Sequence, residues 1–266
     1  AGAGDGSAAH LGAASVAQGD TYICLGSSSW IMTTTDHLYF DRQGRMQSEP
    51  HVIENRYVFG GTMQTGGMSY AWAQDNLGPE PQKLQDMNAR AALSAPGAGG
   101  ILFLPYLMGE RSPWYDPRAS ASFLGLRQES TNGDMLRAVL EGVSHNLKIL
   151  LDVIQQHTAV KDIVLIGGGA KSDLWRQIMA DVLEKPILVP ENVDEGTSMG
   201  SAIIAGIAAG IWPDYSIARE LIHICARVEP EEKNFPVYQR KQAIFEDAFR
   251  SLQAINHRLF HIGVNG

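Results

Sequence analysis

Apolar and polar positions along the chain fall into two kinds of pattern. Residues 21–35, TYICLGSSSWIMTTT, carry Tyr, Ile, Trp and Thr on both sides of a Gly-Ser turn, which predicts two strands joined as a hairpin. A second strand pair is predicted from Leu38 and Tyr39 and from residues 51–59, flanking the turn-like Asp41-Arg42-Gln43-Gly44. Gly60, Gly61, Gly66 and Gly67 then break the pattern ahead of an amphipathic stretch, 68–77, read as a helix starting near Thr65. Residues 89–100 are rich in Ala, Gly and Pro and read as a helix end plus a loop, followed at once by the strand-like ILFLPYL.

Beyond residue 134 the period changes. Leu136, Val139, Leu140, Val143, Leu147 and Leu150 lie on one stripe with helical spacing, so 134–157 is predicted as a helix. A short strand, 161–166, ends in Gly167-Gly168-Gly169 and leads into a helix through Leu174, Trp175 and Ile178. Residues 186–190 predict another strand, 198–209 a small-residue helix and 238–259 a last amphipathic helix. A group of strands followed by alternating α and β segments gives an α/β layer structure with helices packed on a sheet.

Composition limits the functions open to such a fold. With 266 residues, 44% of them hydrophobic and 19% charged, the chain has material for a sizeable core. Its 21 Lys+Arg against 29 Asp+Glu leave a net charge of −8, which excludes a broad nucleic-acid surface while leaving open one nucleotide held by backbone N–H groups. The two cysteines, Cys24 and Cys225, provide neither a disulfide framework nor a metal-binding spacing, and fit a reducing cytoplasm. The longest small-apolar run, 202–212, is interrupted by Gly206 and Gly210 and falls short of a bilayer span, and the first residues do not read as a signal peptide. The opening AGAGDG, without Met, is what a domain cut from a longer protein would show.

Three short segments carry candidate chemistry, and each has a plain reading beside the functional one. Gly167-Gly168-Gly169-Ala170 sits between strand and helix, where N–H groups and a helix N-terminus can meet an anion, or where glycines simply let the chain turn. It matches neither the GxGxxG dinucleotide pattern nor the GxxxxGK[ST] phosphate loop. Gly26-Ser27-Ser28-Ser29 is either a phosphate cradle or a polar turn whose serines satisfy their own backbone. Asp5, before a small-residue run, is either a helix N-cap or a general base at a glycine-framed position. Glu110 and Arg111 read as an ion pair pinning a loop or as cleft residues, Trp30 and Trp175 as core or interface, and His257 as a helix-end residue.

These segments occur in an order that resembles the FGGY family of carbohydrate kinases. ASFLGL (121–126), RQESTNG and DMLRAVLE (134–141) look like that family's second signature over its whole length. LPYLMGERSPWYDP (104–117), IGGGAKSDLWRQIMADVLEKPI and EGTSMGSAIIAGIAAGIW are similar to its xylulokinase branch, the first of them also to the gluconokinases. The resemblance implies an actin-like (ribonuclease-H-like) fold, a mixed sheet flanked by helices, with residues 1–266 forming the C-terminal nucleotide-binding domain and the N-terminal sugar-binding domain lying outside this chain. It implies ATP with Mg²⁺ and a sugar as ligands, the N-terminal domain as partner and a homodimer as one possible assembly, with no dedicated protein metal site.

By motif position Asp5 corresponds to the family's catalytic aspartate. Gly26, Ser27 and Ser28 correspond to its second phosphate motif, where Ser27 replaces a usual Thr. Gly168, Gly169 and Ala170 correspond to the adenosine motif, with Asp173 near ribose or adenine. The activity implied is phosphorylation of D-xylulose to D-xylulose 5-phosphate. Gluconate or another pentulose as acceptor, and a non-catalytic nucleotide-binding module, stand as alternatives.

Overall fold

A seven-stranded mixed sheet organises the computed structural model, which describes residues 4–78 and 83–264. The predicted hairpin forms from β1 (Thr21–Leu25) and β2 (Ser29–Thr35), and β4 (Tyr57–Met63) and β3 (Gln47–Pro50) continue it antiparallel to one edge. On the other side of β1 lie β7 (Ile163–Ile166) and β8 (Ile187–Pro190), both parallel, then β9 (Ile224–Val228), antiparallel. The sheet order is therefore β3-β4-β2-β1-β7-β8-β9, and β5 (Leu102–Leu104) pairs with β6 (Ser122–Leu124) in a small separate sheet.

Successive strand residues face opposite sides, and the two sides are filled differently. Ile23, Leu25, Ile31, Phe59 and Leu165 pack with Val139, Leu140 and Leu147 of α4 (Asn132–Gln155) and Ile178 of α5 (Asp173–Leu183). On the other face Tyr22 and Ile166 pack with Ala9 and Ala13, at α1 (Asp5–Gly12) and its C-terminal end. Over α1 lies α6 (Gly196–Ala208), so close that a Cβ on Gly12 or Gly200 would collide with the backbone of Gly196 or Ala8. Two further helices, α2 (Gly67–Asn76) and α3 (Leu84–Leu93), lie between β4 and β5; the short α7 (Ala218–Leu221) and the long α8 (Phe235–Val264) complete the chain.

The predicted helix at 134–157 is α4, begun two residues earlier by a capping box. The Thr131 hydroxyl accepts from the Asp134 N–H at 3.2 Å, and the Asp134 carboxylate accepts from the Thr131 N–H at 2.9 Å. Glu141, the last residue of the signature, is fully buried on this helix. Its carboxylate accepts from Arg137 Nε at 2.8 Å, the Gly97 N–H at 3.0 Å, the Tyr238 hydroxyl at 3.1 Å and Lys241 Nζ at 2.7 Å. Burial alone would raise its pKa, but Lys241 and Arg137 hold it below the ordinary carboxylate value.

Other expectations are corrected. The second strand pair forms from residues 47–50 and 57–63, with 51–56 as its connection. The 41–44 turn exists, but Asp41 is held by the Arg45 guanidinium at 2.7 and 2.9 Å and by the Arg45 N–H, and joins no strands. Gly60 and Gly61 do not end the pattern; they lie inside β4, where a Cβ on Gly60 would collide with the Ile31 carbonyl and Met32. His257 is well inside α8, not at its end, and contacts Asp116 at 2.6 Å.

Candidate functional site

Parallel pairing of β1 with β7 aligns Cys24 with Ile166, so the two Gly-rich turns leave the sheet side by side at its carboxyl edge. That is where open α/β sheets place ligands. The second turn also packs on the end of β1: a Cβ on Gly167 would come within 2.9 Å of the Leu25 backbone, and one on Gly169 within 2.5 Å of the Leu25 side chain. Gly167 has φ +91°, a backbone that L side chains rarely adopt. Gly168 is exposed, and a Cβ there would meet nothing within 4 Å.

In the Gly26-Ser27-Ser28 turn the carbonyls, not the hydroxyls, are consumed by the protein. The Gly26 carbonyl accepts from the Gly67 N–H at 2.7 Å, and that of Ser27 from the N–H groups of Gly66 and Met68 at 2.9 and 3.1 Å. The start of α2 thus clamps the turn from behind. The reading in which serines satisfy their own backbone holds for Ser29, whose hydroxyl donates to the Gly26 carbonyl at 3.5 Å, and not for Ser27 and Ser28, whose hydroxyls make no hydrogen bond among the described residues. Ser27 is exposed and Ser28 half-buried, leaving both available to a ligand.

The second turn is a short 3-10 segment, Gly168–Lys171, with Ala170 fully buried as its anchor. Ser172 caps α5 through the Trp175 N–H at 3.2 Å, which places Asp173 on the first helical residue. Asp173 is exposed and paired with Arg176 at 2.7 Å, while Arg176 Nε donates to the Ala170 carbonyl. One guanidinium therefore ties Asp173 to the turn. The first residue of α6, Gly196, lies against Ile166 at the end of β7, and the Gly167 N–H donates to the Val193 carbonyl at 2.7 Å.

Asp5 is carried by α1, on the other face of the sheet from α4 and α5. It is the first residue of α1, with Gly4 in the N-cap position, which corrects the N-cap reading. Its Oδ1 accepts from the neighbouring Gly6 N–H at 2.8 Å, and the side chain is exposed. The first turn of α1 rests over Tyr22, whose hydroxyl lies 3.4 Å from the Gly6 carbonyl, four residues before Gly26 on β1. Asp5 and the phosphate-type turns are thus joined through one strand.

Other candidates resolve as structural. Glu110 makes no ion pair with Arg111: it is buried and accepts from the N–H groups of Gln64 at 2.5 Å and Arg111 at 2.8 Å. Burial pushes its carboxyl up to about 8 against the pull of those N–H donors. The Arg111 side chain lines a cleft of about 130 Å³ with Gln47, Gly60, Gly61 and Tyr115. Cys24 is pushed by burial up to about 12, which removes it as a nucleophile. Trp175 is buried and Trp114 stacks on Phe249 at 4.2 Å, so both serve packing. Among the described residues no three His, Cys, Asp or Glu side chains gather as a metal site, and no helix is long and apolar enough to cross a membrane. Reasoning from sequence did not find the clamp at residues 66–68 or the support beneath α1. Neither has a residue type that signals it; both arise from which strands pair.

Solved structures share this architecture. A xylulose kinase from Lactobacillus acidophilus superposes with TM-score 0.91 at 28% identity over 97% of this chain and 52% of its own. A gluconate kinase from the same organism gives TM-score 0.90 at 28% identity over the same shares. The fold is the actin-like fold of these sugar kinases. Residues 21–209 match the model of the FGGY family of carbohydrate kinases, C-terminal domain, and the chain belongs to that family. Among curated relatives, a gluconokinase of Bacillus licheniformis is 32% identical over 95% of this chain and 51% of its own length. A xylulose kinase of Staphylococcus epidermidis is 28% identical over 98% and 53%. The chain spans about half the length of these relatives.

Proposed function

We propose that this chain is the nucleotide-binding half of an ATP-dependent sugar kinase, acting with an N-terminal domain that supplies most contacts to the sugar. The observation that carries the reading is the β1–β7 pairing, which brings Gly26-Ser27-Ser28 and Gly168-Gly169-Ala170 to one edge, where Ser27 and Gly168 are exposed and Ser28 is half-buried. In this reading the N–H and hydroxyl groups of Gly26, Ser27 and Ser28 hold phosphates. Gly168, Gly169 and Ala170 admit the adenosine, and Asp173 lies at its ribose side. FGGY carbohydrate kinases use ATP as phosphate donor. Mg²⁺ arrives with the nucleotide and offsets the charge of its phosphates.

The chemistry is an in-line displacement. A sugar hydroxyl oxygen forms the new bond to the γ-phosphorus as the bond to the ADP oxygen breaks, through a loose transition state stabilised mainly by positioning and charge neutralisation. Asp5 accepts the hydroxyl proton. D-xylulose is the acceptor we assign, giving D-xylulose 5-phosphate. D-gluconate is the second reading, favoured by the 32% identity to a gluconokinase.

The test is steady-state turnover by the full-length enzyme carrying this chain, with Mg·ATP and either D-xylulose or D-gluconate. The expected result is phosphorylation of D-xylulose in preference to D-gluconate, lost by about 10²–10⁴-fold in kcat on Asp5→Asn with nucleotide affinity retained. A reversed preference assigns the second reading. No turnover with either sugar, or an Asp5→Asn variant as active as the parent, sinks the proposal.

A further inference from the structure

The solvent side of the first turn of α1 is open at its glycines: among the described residues a Cβ built on Gly4 or Gly6 meets no atom within 4 Å. What fixes the turn lies beneath it. Tyr22 is fully buried on β1, and its hydroxyl sits 2.9 Å from Trp30 Nε1 and 3.4 Å from the Gly6 carbonyl. The donor roles follow from chemistry. An indole N–H only donates, so Trp30 gives its proton to the Tyr22 oxygen, and the phenolic proton goes to the Gly6 carbonyl. Gly6 in turn donates its own N–H to the Asp5 carboxylate at 2.8 Å. Trp30 and Tyr22 are cross-strand neighbours on the same sheet face, offset along the hairpin, so a regular hairpin sets the height of this support.

The Tyr22 ring is itself held. His10, one turn further along α1, meets it edge-on at 4.9 Å, and His51 meets His10 edge-on at 4.9 Å. His51 is fixed by contacts at both ring nitrogens: Nδ1 accepts from the Ile53 N–H at 2.9 Å and Nε2 donates to the Ser15 carbonyl at 3.2 Å. Both imidazoles are lowered in pKa by burial, His51 to about 4, so the stack is neutral at physiological pH.

We infer that Tyr22 and Trp30 are positioning residues for Asp5, setting the height and orientation of the first turn of α1 through the Gly6 peptide groups. The inference rests on the reading of Asp5 as the general base. A base must stand within hydrogen-bond reach of the proton it accepts, and a displacement of about 1 Å costs up to about a hundredfold in rate. Ligand affinity, which depends on the two Gly-rich turns and on the other domain, does not pass through this support.

The test compares Tyr22→Phe, Trp30→Phe, their double variant and Asp5→Asn in the full-length enzyme, with melting temperature recorded for each. Tyr22→Phe keeps the buried ring and removes only the hydroxyl. It should lower kcat about tenfold while KM for Mg·ATP and for sugar stays within about twofold. Trp30→Phe removes the donor to that hydroxyl together with part of the ring packed beside Tyr22, and should lower kcat about threefold, with the double variant no worse than Tyr22→Phe because both break one chain. If Tyr22→Phe does not fold, Trp30→Phe at its half-buried position carries the test alone. Wild-type kcat in the support variants beside a disabled Asp5→Asn overturns the positioning role and leaves the base in place. Additive losses in the double variant, or KM rising in step with any fall in kcat, overturn it as well. A fully active Asp5→Asn overturns the base and this inference together.

Discussion

A single buried carboxyl shows how much a residue's surroundings can change its behaviour. Glu110 folds with its carboxyl pushed up to about 8 from an ordinary 4.5, mainly by burial. The sign follows from linkage. Between those two values the unfolded chain has released a proton that the folded chain keeps, so stability falls as pH rises through this window and is flat on either side. Glu110→Gln retains a carbonyl oxygen for the Gln64 and Arg111 N–H groups and removes the titration. Urea unfolding of the two proteins should show the variant gaining on the parent by on the order of 2–4 kcal/mol between about pH 5 and about pH 8. Parallel curves would mean that the carboxyl is not held in its neutral form. In sequence this residue reads as half of an adjacent acid–base pair or as a cleft residue. Neighbouring charges along a chain suggest an ion pair, and nothing local reveals that the donors are backbone N–H groups from two separate loops.

Helices and strands were legible in proportion to how regular their apolar spacing is. The stripe on α4 is read from helical spacing sustained over 24 residues, although residues 136–147 are buried on every side, with α3, α5 and β5 packed around them as well as the main sheet. The strand β9 left no such signal, since ICARV lies on an edge and no residue of it is buried, and Gly60 and Gly61 read as a break because their reasons lie elsewhere, for Gly60 on β2 and for Gly61 at Ser112. The packing of α1 on α6 belongs to the same class. Glycine is a poor helix former, yet Gly12 and Gly200 are required because the two backbones meet. Gly200→Val should therefore be more damaging than its helix propensity predicts. Scanning calorimetry should show a loss of at least about 5 °C in Tm, from about 2 kcal/mol of overpacking, while Ser201→Val at the exposed neighbouring position changes it little. Equal effects at the two positions would rule out the close contact. Each Gly-rich turn of the candidate site was likewise visible as a turn. Their adjacency was not, because it is a property of the pairing and not of either segment.

Across the whole molecule, a buried charge cluster joins the long C-terminal helix to the rest. Lys241 on α8 donates to the carbonyls of Gly97 at 3.1 Å and Ile101 at 2.7 Å as well as to Glu141 on α4, and Tyr238 joins Arg137 to Glu141. Glu141→Gln would leave two cations facing one neutral group in a dry interior. The expected loss is about 3–5 kcal/mol, seen as a fall of roughly 10 °C in Tm. Because the wild-type carboxyl is lowered, its stabilisation is complete above the ordinary value of 4.5 and disappears as pH falls through the lower folded value, so the gap between variant and parent should narrow in acid. A gap that stayed constant with pH would contradict the assignment. The pairing of residues 21–24 with 163–166 has a further consequence, one of timing. About half of the chain separates the two strands, so a polypeptide leaving the ribosome carries the serine turn long before its companion exists. No local fragment can hold the ligand, and long-range closure of this kind is slow to form. On the proposed reading, nucleotide added during refolding would therefore be captured only after β1 and β7 have paired, which makes ligand capture a clock for that long-range step.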